Sequence, residues 1–267
     1  MISFPLLKSN IRSNYVIFLI FVAILMIYLT IIGSMYDPGV IGALEAYLEL
    51  LPQEMVRAMN FSILEPNLTG FLAGYFYGFL ILLFPLIYTG IMANRAIASY
   101  VDTGSMGFLL STPNPRWKIA LTQAYFLIGS VKLLLVVTMV AGIIFSEALF
   151  PGELDIWRFV LLNIGAILLY FAISGIGFFA SCLFNETRFS LALGAGVPVV
   201  FLLMKMLADV DEQLSGIGRA SLISLFDPEA ILALDSSVLP SFVALFVIGI
   251  VLYAAGIVVF SKKDLPL

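Results

Sequence analysis

The chain is 267 residues long, 62% hydrophobic and only 11% charged, with a formal net charge of −4; an ordinary soluble domain is roughly a quarter charged, so a water-soluble globule is excluded. A spanning helix takes about 20 apolar residues to cross about 30 Å of hydrocarbon, which bounds the chain to a single polytopic membrane domain, residues 1–267. With no His and one cysteine, Cys182, the sequence excludes Ser-His and Cys-His couples, His-ligated metals and disulfide frameworks, and so small a net charge gives no reason for a nucleic-acid partner.

Residues 1–14 come first. Pro5 stands in a first helical turn, Phe4, Leu7 and Ile11 share an apolar face, and Lys8 and Arg12 supply positive charge. The spacing predicts a short amphipathic helix on the inner membrane surface, the alternative being a plain basic tail that sets topology. Residues 15–35 carry no charge and read as a first span, retained because no small-residue cleavage site follows. In the outer segment after it, Val40, Leu44, Tyr47, Leu48 and Leu51 recur at helical spacing. Further spans are predicted over 71–93, 119–146, 159–184, 189–208 and 239–260, which makes six. Gly70, Gly74 and Gly78 form a close-packing ladder, and Pro85 and Pro198 should bend their helices.

Between the second and third spans lies a segment, residues 94–118, in which Ile97, Tyr100 and Val101 share a helical face and Phe108, Leu109 and Leu110 precede the stop Ser111-Thr112-Pro113-Asn114-Pro115. Such a helix must bury its apolar face on the bilayer or in a soluble partner. Within the third span, Lys132 is a charge at mid-membrane depth, read either as part of a transport path or as a snorkelled or paired structural residue. Lys205 stands four residues before Asp209, a spacing that predicts a local ion pair. In the outer loop, 209–238, Asp227-Pro228-Glu229 is a helix start with an N-cap acid and Pro at the first position. That helix either dips back toward the membrane or lies on the surface.

The charges alternate between loops. One set of segments holds Lys8, Arg12, Arg95, Arg116, Lys118, Arg188, Lys262 and Lys263; the other holds Arg57, Arg158 and Arg219 with most of the acids. Lys and Arg near span ends mark the cytoplasmic side, so both termini are expected inside, and only a six-span reading makes the alternation work. There is no G-x-x-x-x-G-K-[ST] to cradle ATP phosphates, so if ATP drives the chain another polypeptide hydrolyses it, and the chain itself is not read as an enzyme. A secondary transporter or channel working without ATP is the alternative, although the spans show no acid for ion coupling.

At the cytoplasmic segment the pattern resembles a known family. Val101-Asp102-Thr103-Gly104-Ser105-Met106-Gly107-Phe108-Leu109-Leu110-Ser111-Thr112-Pro113, with the basic Arg116 and Lys118 opening the next span, is similar to the segment of ABC type-2 permeases in which an acid-and-Gly helix precedes a Leu-Leu-Ser-x-Pro stretch. The ending Phe260-Ser261-Lys262-Lys263-Asp264-Leu265-Pro266-Leu267 and the loop around Leu225-Phe226-Asp227-Pro228 also resemble bacterial members. The resemblance implies an all-α permease with an N-terminal interfacial helix, working as a half-transporter beside a second permease subunit, identical or related. A pair of separate ATPase subunits would hold ATP and Mg, with no cofactor in this chain. Residues 99–110 would be the coupling helix that docks in the ATPase, through Ser99, Tyr100, Asp102, Gly104, Met106, Leu109 and Leu110. Where the family commonly has a Glu, this chain has Ser99 and Tyr100, which leaves Asp102 as the segment's acid. Asp227, Pro228 and Glu229 would open an outer re-entrant gate helix. The implied activity is export of a hydrophobic or amphipathic peptide, antimicrobial compound or drug across a bacterial plasma membrane.

Overall fold

The computed structural model describes residues 2–37, 39, 50–58, 67–210 and 215–263. In chain order the helices are α1 (Phe4–Ser34), α2 (Gln53–Ala58), α3 (Leu68–Ala96), α4 (Ala98–Asp102), α5 (Met106–Leu110), α6 (Arg116–Leu149), α7 (Ile156–Leu183), α8 (Thr187–Val210), α9 (Ser215–Gly218), α10 (Pro228–Leu232) and α11 (Val238–Lys262), with a 3-10 turn at Leu222–Leu225. Among the described residues, six helices are long and apolar enough to cross a membrane: α1, α3, α6, α7, α8 and α11. Each contains or overlaps one of the six predicted spans. The helical spacing read over 40–48 and the ending at 264–267 lie outside the described residues.

The separate interfacial helix expected at 1–14 is instead the opening of α1, which runs unbroken for 31 residues. No Gly or Pro interrupts it between Pro5 and Gly33; in its first turns Asn10 and Asn14 are buried toward the bundle and hydrogen-bonded, while Phe4 and Ile11 of the expected apolar face are exposed. At 1.5 Å per residue α1 is about 46 Å long, so it crosses the hydrocarbon and still extends beyond it.

Asn67 caps α3, its Oδ1 accepting from the Gly70 amide at 2.8 Å. The helix is π-wound over Ala73–Leu80, the stretch holding Gly74 and Gly78. Pro85 sits inside α3 and has no amide proton for the Ile81 carbonyl. The buried Tyr170 hydroxyl of α7 reaches that carbonyl at 2.8 Å and the Leu82 carbonyl at 2.6 Å. In α8 the helix breaks at Ala195, just before Pro198.

The two most enclosed spans are α3 and α7, with 67% of each apolar window buried against 17–33% in the others. Small residues let them meet. A Cβ on Gly177 would come within 2.6 Å of the Ala93 Cβ, one on Gly90 within 2.9 Å of the Ala195 Cβ, and one on Gly194 within 3.1 Å of the Gly177 Cα. Those contacts bring α3, α7 and α8 together at one crossing of nearly bare backbones, the packing that apolar helices use in lipid. On the other side of α7, Phe171 and Phe178 lie over Gly249 and Gly256 of α11, with the Tyr253 ring between them at 5.4 and 5.1 Å.

Arg116 and Lys263 lie together at one end, where α6 begins and α7 and α11 finish. Arg116 donates to the Lys263 carbonyl at 2.7 Å, and the Lys263 ammonium donates to the Leu183 carbonyl at 2.6 Å, at the negative end of α7. Partial burial lowers the Lys263 pKa. At the opposite end the Asp155 amide donates to Thr69 Oγ1 at 2.8 Å and Tyr36 reaches Glu153 at 3.4 Å. On the positive-inside expectation the first end is called the inner one and the opposite end the outer one.

Candidate functional site

The segment joining α3 to α6 is fixed to the bundle at three points. The Ile97 and Ala98 amides, unpaired where α4 begins, both donate to Ser181 Oγ of α7, at 3.1 and 2.8 Å. The Tyr100 hydroxyl donates to Asn10 Oδ1 of α1 at 3.1 Å, and Asn10 donates in turn to Gln123 of α6 at 2.8 Å; partial burial raises the Tyr100 pKa. Asp102 accepts from the Thr187 amide in the first turn of α8 at 3.4 Å, where a carboxylate also meets the positive end of the helix dipole. The segment is therefore bonded to three spans, α1, α7 and α8, and through Asn10 to a fourth, α6.

The single helix expected over 99–110 is two five-residue helices, α4 and α5. Gly104 divides them with φ +71°, a left-handed conformation that suits glycine. Around it Thr103 Oγ1 donates to the Ser99 carbonyl at 2.7 Å and Ser105 Oγ to the Tyr100 carbonyl at 3.2 Å, satisfying the end of α4. The apolar face does not wait for a bilayer or a partner either. Ile97, Ala98, Val101 and Met106 are buried within the chain's own bundle.

The proposed contact residues therefore separate. Asp102 and Gly104 are exposed, Ser99, Tyr100, Leu109 and Leu110 are half-buried, and Met106 is at 0% exposure, out of reach of any docking surface. The residue the sequence reading left out is Phe108, which is 81% exposed. Two positions from the buried Met106, it stands on the opposite side of α5, and that spacing is the signal that was available.

At the outer end Asp227 caps α10, its Oδ1 accepting from the Glu229 and Ala230 amides at 3.0 and 3.3 Å. Pro228 is buried, while Asp227 and Glu229 face outward. Phe226 and Ile231, both buried, rest against Gly165 of α7, 3.0 and 3.1 Å from where its Cβ would stand. Gly165 is nine residues below the outer end of α7, about 14 Å along the helix. Before α10, Ser221 Oγ donates to the Phe201 carbonyl of α8 at 2.8 Å. The loop thus packs against α7 and α8.

Lys132 is exposed on α6 and lines a cleft of about 220 Å³ with Ile128, Phe171, Ser174 and Phe246, between α6, α7 and α11. Among the described residues no carboxylate lies within ion-pair distance of it. Lys205 pairs with Asp209 at 2.6 Å, as its spacing predicts. The coupling residues, Lys132 and the outer helix are not brought into one site; they occupy the inner end, the middle and the outer end of the bundle.

A comparison with family profiles matches residues 7–265 to the family described as ABC-2 family transporter protein. No curated protein matches the chain.

Proposed function

The chain belongs to the ABC-2 transporter family and is a multi-pass membrane protein, and on that premise we propose that it is the permease subunit of an ATP-driven exporter in a bacterial plasma membrane. The observation that carries the reading is Phe108, a phenyl ring 81% exposed at the basic end of the bundle, on a segment tied to its spans by Ser181, Asn10 and Thr187. An aromatic side chain held out from a fixed backbone is what a docking cleft takes as an anchor. ATP and Mg belong to the ATPase subunits in this reading, and a second permease, identical or related, completes the path.

The mechanism follows from the attachments. When the ATPase subunits close, they push on α4 and α5. The push passes to α1 through Tyr100 and Asn10, to α7 through Ser181 and to α8 through Asp102, so it moves spans rather than being lost in a slack loop. The interface between permeases then turns from inward-open to outward-open, and α10 with Asp227, Pro228 and Glu229 acts as the outer gate. The cargo is a hydrophobic or amphipathic peptide, antimicrobial compound or drug. An acidic outer face and apolar walls favour cationic, hydrophobic molecules.

The test is a pull-down of the tagged chain from native membranes in mild detergent, with mass identification of what accompanies it. A stoichiometric ATP-binding-cassette protein is expected, and Phe108→Asp should lose that protein while melting at the temperature of the unaltered chain, since an exposed side chain contributes little to stability. A chain that emerges alone from several detergents would overturn the reading in favour of an ATP-independent transporter.

A further inference from the structure

Two neighbouring cavities at the inner end share one residue, Asn14. The first, of about 350 Å³, is an apolar slot between α1, α3 and α6, lined among others by Ile11, Tyr15, Phe18, Tyr88, Tyr125 and Leu133. The second, of about 260 Å³, is polar and lined by Ser13, Asn14, Arg95, Ser99, Thr103 and Ser105 among others. We propose that together they bind one phospholipid of the inner leaflet, with its phosphate at Arg95 and one acyl chain in the slot. The site requires only the membrane and not ATP-driven export, so it stands apart from the exporter reading.

Three observations choose that occupant. Arg95 donates to Asn14 Oδ1 at 2.8 Å with one nitrogen, and a guanidinium has five N–H donors in a fork matched to phosphate. Arg95 is exposed and among the described residues no carboxylate lies within ion-pair distance of it, so its guanidinium is open to an anion from outside the chain. Tyr88 lines the slot at 0% exposure, and its hydroxyl, beside Ser130, makes no hydrogen bond of ordinary geometry. Ser130 directs its own proton to the Leu127 carbonyl at 2.9 Å. That leaves Ser130 Oγ able to accept from the phenol, and a glycerol-ester carbonyl entering with the chain would offer a second acceptor beside it.

On α3 the slot residues Met92 and Tyr88 both lie to one side of Arg95, Tyr88 seven residues or about 10 Å along the helix from it, so a phosphate at Arg95 sits at one end of the apolar wall, the relation a headgroup has to its acyl chain.

The full chain is purified in detergent, loaded with dioleoyl phosphatidylglycerol and analysed by native mass spectrometry, and the lipid is located with a phosphatidylglycerol carrying a diazirine in its acyl chain. One retained lipid per chain is expected, with crosslinks in residues 11–18 of α1 or 125–133 of α6. Gly129 lines the slot with nothing within 4 Å of where its Cβ would stand, so Gly129→Phe should fill the slot without disturbing the fold and remove the crosslinks. Arg95→Gln should lower retention about tenfold, which corresponds to about 1.4 kcal/mol, and Arg95→Lys should recover part of it. Equal retention by Gly129→Phe, Arg95→Gln and the unaltered chain would overturn the proposal. So would binding of inorganic phosphate without lipid, or crosslinks from the slot to a second copy of the chain.

Discussion

Pro85 leaves the Ile81 carbonyl without its helical donor, and the Tyr170 hydroxyl serves that carbonyl and the next from a different span. In hydrocarbon no water replaces a lost partner, so Tyr170→Phe should destabilise the protein by about 1–3 kcal/mol, read as a lower unfolding temperature in detergent. In a Pro85→Ala background the Ile81 carbonyl regains a backbone amide, and Tyr170→Phe should then cost less. An equal loss in both backgrounds would show that the hydroxyl acts elsewhere. Pro85 was legible in the sequence as a gap in the helical hydrogen-bond ladder because proline acts locally. Tyr170 was not, since a tyrosine in an apolar run looks the same whether its hydroxyl meets water, a neighbour or nothing. Asn10 escaped notice for the same reason: its place between Tyr100 and Gln123 depends on three separate elements meeting.

Within α4 and α5 the balance between local and tertiary information is different. The six spans were readable because about 20 uncharged residues leave a helix few alternatives in lipid, and the stop after Leu110 was readable from Pro113 and Pro115. The destination of the segment's apolar face was not. Periodicity shows that Ile97 and Val101 need burial, but it cannot tell the chain's own bundle from a partner, and here the bundle takes them. That burial narrows the proposed docking surface to Phe108 and the exposed turn at Asp102 and Gly104, with Ser99, Tyr100, Leu109 and Leu110 half-buried beside them. Asp102→Lys would remove the acceptor of the Thr187 amide and set a cation against the positive end of α8. Because Asp102 is exposed the fold should persist with a loss below about 1 kcal/mol, while ATP hydrolysis by the assembled complex loses its response to cargo. Normal transport and normal recovery of the ATPase with this variant would remove Asp102 from the coupling path.

Across the whole molecule, enclosure is uneven: α3 and α7 are held inside, while α1, α6, α8 and α11 turn most of their apolar windows outward. Lipid satisfies such faces wherever they are hydrocarbon, but Lys132 is not hydrocarbon. It stands sixteen residues from Arg116 and seventeen from Leu149, roughly 25 Å along the helix from either end, and a charge at the bilayer centre costs about 3 kcal/mol even on insertion scales. Its side chain is exposed and without a carboxylate partner among the described residues. Such an ammonium either snorkels toward the interface along its stem or meets groups from beyond this chain, as water in a path or as polar groups of the second permease proposed above. Lys132→Met should therefore leave the unfolding temperature of the single chain unchanged or slightly raised, and should alter the rate or the range of cargo when the complete complex is reconstituted in vesicles. The contrary result, unchanged transport with a lower unfolding temperature, would mean that the ammonium finds its partner within this chain and that the cleft between α6, α7 and α11 is a packing feature.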